Sequence, residues 1–345
     1  MTQYAQFKIA AVQAHPIYFD REASTEKACH LIQEAGGQGA SLAAFGETWL
    51  PGYPFFVWGS LTPAMEVEYL ANAVEIPSAT TDRLCEAARQ ANIDVVIGMA
   101  ERDSQTKGTV YCTLLFIGCD GTILGRHRKL KPTHRERTVW GEGDGSSLTV
   151  YDRPYGRISG LNCWEHNMVL PGYALMSQGT QIHIAAWPGQ HQSLSRHIFL
   201  SRAFASQAAA YVIAVGSLLS TDQIREDYKD LANSVPEAYR GLIADFGGES
   251  CIIDPRGEVI AGPAEGETIL IADCSMEDIY AAKGTCDVGG HYSRPDVFQL
   301  NVNRTSHDHC CAEQEQRQDH EPVESKTAPE GFDKLITGNE SSKAS

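Results

Sequence analysis

Apolar runs that alternate with amphipathic helical segments most strongly limit the folds open to this chain. The run Ser41–Phe45 is nearly all apolar, as expected for a strand that is buried on both faces of a sheet. Phe7–Gln13 and Ile93–Met99 are similar runs. Between them, Asp20–Ala35 and Ala79–Asn92 carry small and apolar residues at helical spacing. Alternation of this kind predicts an α/β fold.

Turn-forming residues predict two hairpins within this pattern. An Asp-Gly pair lies between the predicted strands Thr109–Ile117 and Thr122–Arg126, and Asp-Gly between apolar runs is a strong hairpin signal. The turn Asp254–Gly257 predicts the second hairpin. A further strand is predicted over Ser147–Tyr151, and another over Arg157–Cys163.

The domain organisation follows from where this pattern stops. Helices predicted over Met168–Ser177 and Ser195–Ala210 continue the alternation, and no linker-like segment interrupts it. From Thr305 onward apolar residues nearly vanish, so this segment cannot bury enough surface to order itself. The sequence therefore predicts a single domain over residues 1–304 and a disordered tail over 305–345.

Charge and cysteine usage exclude several classes of protein. The formal net charge of -16 argues against nucleic acid or an anionic membrane as a partner, because both require a basic surface. The ten cysteines form no regular framework, which favours reduced thiols over a secreted disulfide scaffold. Neither a signal peptide nor a run of about 20 apolar residues is present. These features predict a cytoplasmic protein.

Three residues with complementary chemistry each lie at or just beyond the end of a predicted strand. They are Glu47, Lys129 and Cys163, and we expect them to converge at one edge of a sheet. A nearby ammonium lowers the pKa of a thiol, and a carboxylate can accept its proton. Glu136 offers a second carboxylate in the loop of Lys129. Taken alone, the charges could instead be solvated and the cysteine could be inert packing.

The local sequence around these residues resembles the signature segments of the nitrilase superfamily. The resemblance is strongest to the nitrilase branch of that superfamily. The matching segments are Phe45–Pro54, Arg128–Gly145 and Leu161–His166, with a weaker likeness at Asp287–Ser293. Many members have proline where this chain has Gly46, and the form found here resembles the subgroup that acts on arylacetonitriles.

The resemblance implies a catalytic set of Glu47, Lys129 and Cys163, with Glu136 as a second active-site glutamate. It also implies a four-layer αββα sandwich and association into homodimers or larger spiral oligomers. The expected chemistry is covalent catalysis by the thiol, with neither a metal nor an organic cofactor. Tyr53, Trp164, Trp187 and His134 are the predicted substrate contacts, although core packing is the commoner role of any one aromatic residue.

The activity that follows is that of a nitrilase. An organic nitrile, aromatic or arylaliphatic, would be hydrolysed with water to a carboxylic acid and ammonia through a thioimidate and a thioester on Cys163. The alternatives are a cyanide dihydratase or hydratase, an amidase of the same superfamily, or a binding protein on an inactive fold of this type.

Two other signals are less favoured as sites. His166 lies three residues after Cys163, whereas the base of a Cys–His pair usually comes from a distant segment. His307, His309, Cys310 and Cys311 are of metal-binding types, but in a tail of this composition adventitious capture is the favoured interpretation.

Overall fold

The computed structural model describes residues 4–58, 63–189, 194–220 and 245–307. Residues Met1–His307 belong to one compact unit. The tail beyond residue 307, with His309, Cys310 and Cys311, lies outside the described residues. The predicted boundary at residue 304 and the predicted disorder therefore stay predictions.

One sheet of six strands contains the first half of the chain and one late strand. With strands numbered β1 to β14 along the chain, its members are β1 (Gln6–Gln13), β2 (Leu42–Phe45), β3 (Asp94–Arg102), β4 (Val110–Ile117), β5 (Ile123–Arg128) and β14 (Thr268–Ser275). Their order is β14–β1–β2–β3–β4–β5. The central strands β1, β2 and β3 are parallel, and the outer strands join antiparallel.

The second half of the chain forms another six-stranded sheet. Its members are β6 (Tyr151–Arg153), β7 (Gly156–Asn162), β8 (Ile182–Trp187), β9 (Tyr211–Gly216), β12 (Cys251–Ile253) and β13 (Val259–Ala261). Their order is β13–β12–β9–β8–β7–β6, with β7, β8 and β9 parallel. The short strands β10 (Leu218–Ser220) and β11 (Asp245–Gly247) pair with each other.

The described residues form six α-helices. They are α1 (Arg21–Gly37), α2 (Pro63–Asn72), α3 (Ala79–Ala91), α4 (Val169–Met176), α5 (Leu194–Ala208) and α6 (Met276–Thr285). Helices α1 and α3 pack on the outer face of the first sheet, and α4 and α5 on that of the second. The Asp20 side chain caps α1 by accepting a hydrogen bond from the Ala23 amide at 2.9 Å. Asn92 ends α3 in the left-handed conformation, with φ of 50°.

Alternation along the strands builds the four layers. In β2, Leu42 and Ala44 pack into the apolar layer between the two sheets, whereas Ala43 and Phe45 belong to the layer under α1 and α3. A further apolar cluster lies between the second sheet and α4 and α5. The predicted αββα sandwich is therefore confirmed, and so are the two predicted hairpins.

The strand predicted over Ser147–Tyr151 is wrong. Gly145–Ser147 forms a single 3₁₀ turn, and strand structure begins only at Tyr151. Asp144 causes the difference, because its side chain accepts a hydrogen bond from the Ser146 amide at 2.9 Å. Such local side-chain bonds compete with the strand ladder.

The helices of the described residues are short or polar. None of them is long and apolar enough to cross a membrane.

Candidate active site

The three residues predicted to converge do follow strands, but not strands of one sheet. Glu47 follows β2 and Lys129 follows β5, both in the first sheet, whereas Cys163 follows β7 in the second. The expectation of a single sheet edge was therefore wrong, and the cluster spans the two sheets. Strand and turn signals do not reveal which strands share a sheet, so the sequence could not distinguish these arrangements.

The turn that carries Glu47 is held between the sheets by its backbone. The Glu47 amide donates to the carbonyl oxygen of Trp187, at the end of β8, over 3.1 Å. Gly98 on β3 lies directly against this turn, and a Cβ there would overlap the Gly46 carbonyl oxygen. A Cβ on Gly46 would in turn lie 2.7 Å from the Ser217 amide nitrogen. Close packing from both sheets thus sets the position of Glu47.

Lys129 forms the centre of the cluster. Its Nζ donates to Glu47 Oε1 and to Glu136 Oε2, each at 2.7 Å, and all three side chains are buried. The Trp140 ring lies beside the ammonium, with its centroid 5.4 Å from Nζ. Burial alone opposes the charge on Lys129, but Glu136 and Glu47 outweigh it and hold the pKa of the ammonium well above its usual range. Lys129 is therefore a cation.

Glu136 is fixed by three donors. It lies in a 3₁₀ turn over His134–Thr138. Besides Lys129, the Tyr53 hydroxyl donates to its Oε1 at 2.9 Å, and the Thr133 amide donates to its Oε2 at 2.7 Å. These bonds bring Tyr53, a predicted substrate contact, into the buried cluster.

Among the described residues, one carboxylate oxygen of Glu47 has hydrogen-bond partners and the other has none. Its Oε1 accepts from Lys129 and, at 3.4 Å, from the Cys112 thiol. Its Oε2 is buried and has no hydrogen-bond partner among the described residues. Burial raises the pKa of Glu47 to about 7, since it exceeds the opposing effect of Lys129. Glu47 is therefore a carboxylate with one free oxygen and an affinity for protons near neutral pH.

Cys163 begins a 3₁₀ turn over Cys163–Asn167 and adopts the left-handed conformation, with φ of 50°. Its thiol is buried and interacts electrostatically with Glu47, Lys129 and Glu136. Burial, followed by the negative charge of Glu47, raises the pKa of Cys163 well above its usual range. Lys129 does lower the pKa of the thiol, as expected, but too little to outweigh burial. The thiol stays protonated and requires a base.

A further buried glutamate, Glu165, which the sequence reasoning passed over, ties the loop of Lys129 to that of Cys163. Glu165 accepts from His127 Nε2 at 3.0 and 3.1 Å, and from the amides of Leu130 and Asn162 at 2.8 Å each. Leu130 follows Lys129 and Asn162 precedes Cys163, so one carboxylate holds both loops. Asn162 and Glu165 have the spacing of a capping box, which was the available signal.

His166 bonds away from the thiol. Its Nδ1 lies 2.7 Å from the Cys163 carbonyl oxygen, which can only accept, so this nitrogen carries the proton. Its Nε2 lies 3.0 Å from His183 Nε2. Burial lowers the pKa of His166 to about 4, so the ring is neutral at physiological pH. His166 therefore supports the backbone of Cys163. The sequence had likewise disfavoured it as the base of a Cys–His pair.

The other predicted substrate contacts lie at different depths. The Trp187 side chain is buried, and its Nε1 donates to Ser201 Oγ at 3.2 Å. Trp164 is 37% exposed, under the guanidinium of Arg196. His134 is exposed and stacks on Trp58 at 5.7 Å between ring centroids.

Metal-ligating residues are not grouped in the described part of the chain. It contains no set of three or more His, Cys, Asp or Glu side chains that could hold a metal ion.

Known proteins resemble this chain over most of its length. The profile of the carbon-nitrogen hydrolase family matches residues 8–284. Nitrilase 2 from an unknown prokaryotic organism is 51% identical over 310 residues, which cover 88% of this chain and 95% of that protein. An aliphatic nitrilase from Rhodococcus rhodochrous is 39% identical over 319 residues, which cover 88% of this chain and 85% of that nitrilase.

An arylacetonitrilase from Aspergillus niger is 36% identical over 317 residues, with 88% of this chain and 90% of that protein covered. Among solved structures, Saccharomyces cerevisiae Nit3, a member of branch 10 of the nitrilase superfamily, superposes with a TM-score of 0.66 at 20% identity. The superposition covers 83% of this chain and 96% of Nit3, and it shows a shared fold.

Proposed function

This chain belongs to the carbon-nitrogen hydrolase family, and from that premise we propose that it is a nitrilase, which converts an organic nitrile to a carboxylic acid and ammonia. Family membership makes it a hydrolase of carbon-nitrogen bonds. The observation that carries the proposal is a protonated thiol beside a lysine held between two buried glutamates, one of which has a free oxygen. This set can deprotonate a nucleophile and protonate a nitrogen in one water-poor site.

In the first step the Cys163 sulfur attacks the nitrile carbon. The thiol proton passes to Glu47 Oε2 as the carbon–sulfur bond forms, and the nitrile nitrogen takes a proton from Lys129. The product is a thioimidate on Cys163. Glu47 then returns its proton to Lys129 across their 2.7 Å hydrogen bond, which restores both side chains. A cation aimed at the nitrogen stabilises the charge that develops there.

Hydrolysis of the thioimidate follows. Glu47 removes a proton from a water molecule positioned with Glu136, and the hydroxyl adds to the thioimidate carbon. Lys129 protonates the nitrogen of this adduct, and Glu47 returns its proton to Lys129. Glu47 then takes the proton of the adduct hydroxyl as the carbonyl forms and the carbon–nitrogen bond breaks. Lys129 gives the leaving nitrogen its last proton, ammonia departs, Glu47 reprotonates Lys129, and a thioester remains. A second water cleaves the carbon–sulfur bond, which releases the acid and regenerates the thiol. Side chains and water supply every proton, so the sequence of steps requires neither a metal nor an organic cofactor.

An aromatic or arylaliphatic nitrile is the proposed substrate. Aromatic side chains lie beside the cluster: Tyr53 bonds to Glu136, the Trp140 ring lies over Lys129, and Trp187 packs in the same apolar cluster as Cys163. Similar proteins carry the names of both aliphatic nitrilases and arylacetonitrilases, so a panel of nitriles is required.

The panel should contain phenylacetonitrile, benzonitrile, an aliphatic nitrile, hydrogen cyanide and phenylacetamide, with ammonia and amide both quantified. Phenylacetonitrile should give the highest kcat/KM and release ammonia with the acid. Fastest turnover of hydrogen cyanide or of the amide would instead favour the cyanide-hydrolysing or amidase alternative.

The nucleophile is tested by Cys163→Ala, with Cys274→Ala as a matched control. Cys274 is also buried, but it lies on β14, and among the residues described its thiol bonds to the Ala272 carbonyl alone. We expect Cys163→Ala to lower kcat by about 10⁴-fold or more with a retained melting temperature, because no other group forms the thioimidate. The control should keep near-normal kcat. Substantial turnover by Cys163→Ala would contradict the assignment, and activity of the wild-type chain excludes the inactive-scaffold alternative.

Self-association stays a proposal. The helices α4 and α5 expose Val169, Leu170 and Phe199 to 80%, 65% and 66%. Exposed apolar residues on sheet-covering helices favour an interface between copies. Sedimentation velocity should show a dimer or larger assembly, and a monomer at micromolar concentration would contradict it.

A further inference from the structure

A second buried thiol lies in the active site and has no part in the chemistry above. Cys112, on β4, is fully buried, and its Sγ lies 3.4 Å from Glu47 Oε1. Its carbonyl oxygen accepts a hydrogen bond from the Lys129 amide at 2.8 Å, so Cys112 is fixed against both Glu47 and Lys129. In the sequence it is an ordinary strand cysteine.

The direction of this hydrogen bond follows from the partners. An ionised carboxylate only accepts, so the Cys112 sulfur must donate its proton. Burial, together with the charge of Glu47, raises the pKa of Cys112 well above its usual range, and the thiol therefore keeps that proton at working pH. Cys112 is thus a donor and not a second nucleophile.

Both donors to Glu47 fall on the same oxygen. Lys129 and Cys112 donate to Oε1, whereas Oε2 has no partner among the described residues. Lys129 also bonds to Glu136, so it would follow either carboxylate if one moved. Among the described residues, the Cys112 thiol donates to Glu47 alone, and it approaches from a different strand. Two donors from different directions define the plane of a carboxylate better than one.

We propose that Cys112 is a positioning residue for Glu47, whose hydrogen bond to Oε1 leaves Oε2 to take the proton of Cys163. This inference rests on the proposed role of Glu47 in nitrile hydrolysis. Loss of the thiol frees the carboxylate to rotate and removes a bond that favours its ionised form. The acid limb of the Cys163 reactivity profile then moves to higher pH.

The test compares Cys112→Ala, which removes the donor, with Cys112→Ser, which keeps one. Two readouts are followed against pH: the rate of Cys163 alkylation by iodoacetamide, measured by peptide mass spectrometry, and kcat/KM for the best nitrile. In Cys112→Ala both should fall by about three- to tenfold at pH 6, the size expected for one lost hydrogen bond, with a smaller loss at pH 9. Cys112→Ser should restore most of each. Cys274→Ala, a buried thiol away from the cluster, should leave both profiles unchanged.

An unshifted acid limb in Cys112→Ala overturns the inference, and so does a Cys112→Ser variant that behaves like alanine. A shift of the same size in Cys274→Ala also overturns it, because the effect would then be general. If Cys112→Ala does not fold, Cys112→Val removes the donor while filling the space. The alkylation readout requires no nitrile. A shifted alkylation profile in a chain that hydrolyses no nitrile would reject the proposed function and retain the positioning role.

Discussion

Two buried glutamates, Glu47 and Glu165, lie on either side of Lys129 in the chain and differ in their hydrogen bonds and in the direction of their pKa shifts. Each is almost fully buried and paired with a basic side chain, Lys129 for Glu47 and His127 for Glu165. Both oxygens of Glu165 accept hydrogen bonds, whereas Oε2 of Glu47 has no donor within the part of the chain that the structure describes. Burial opposes the ionisation of each, yet the pKa of Glu165 is lowered overall and the pKa of Glu47 is raised to about 7.

Glu165 is a structural carboxylate, whereas Glu47 is the one proposed to act in the chemistry. Burial is common to both, so burial alone does not decide the role. Neighbouring charges and donors do. Electrostatic attraction to His127 and the hydrogen bonds from His127 and two backbone amides lower the pKa of Glu165, whereas the negative charge of Glu136 offsets part of the effect of Lys129 on Glu47. A carboxylate that keeps a free oxygen near neutral pKa can exchange protons, and one with every lone pair engaged holds loops together.

Of the tests that compare the two glutamates, Glu47→Gln is expected to have the largest effect. The amide retains the shape of the side chain but cannot accept the Cys163 proton, so kcat/KM should fall by about 10²- to 10⁴-fold. Lys129 keeps Glu136 as its counter-ion, so the free energy of unfolding should change by less than about 1 kcal/mol. Steady-state kinetics and urea unfolding measure the two quantities. Retained activity would remove Glu47 from the chemistry.

The next largest effect is expected in the pH dependence of kcat/KM. The pKa of Glu47 is raised to about 7, so its base form is lost as the pH falls through that value. Below it, kcat/KM should fall about tenfold per pH unit, or about 100-fold by pH 5. Glu165 has a lowered pKa, so its contribution to stability is lost only below the ordinary carboxyl range. A pH profile of kcat/KM with parallel urea unfolding checks both, and a flat profile down to pH 5 would contradict the role of Glu47.

The smallest effect on catalysis is expected from Glu165→Gln, the same substitution in the other glutamate. It removes the charge that pairs with His127, so the free energy of unfolding should fall by about 3 kcal/mol. Activity of the folded variant should fall far less than in Glu47→Gln. The comparison fails if the two variants lose stability and activity in the same proportion.

Sequence reasoning reached much of the site and failed on its geometry. Glu47, Lys129 and Cys163 follow strands as predicted, and Glu136 lies beside Lys129 as expected. The single sheet edge was wrong, because the order of strands is a property of the sheets. Lys129 lowers the pKa of the Cys163 thiol as expected, but burial raises it more, and the sequence does not reveal how deeply the thiol is buried.

The sequence by itself determined the family, the alternation of strands and helices, and the residues at the strand ends, because short motifs and hydrophobic periodicity are enough to identify them. Only the tertiary structure decided which oxygen of Glu47 is free and which thiol bonds to it. Cys112 and Glu47 are separated by 65 residues, and His127 and Glu165 by 38. Such contacts depend on how two sheets pack, and proton affinity depends on the burial and the donors that the packing creates.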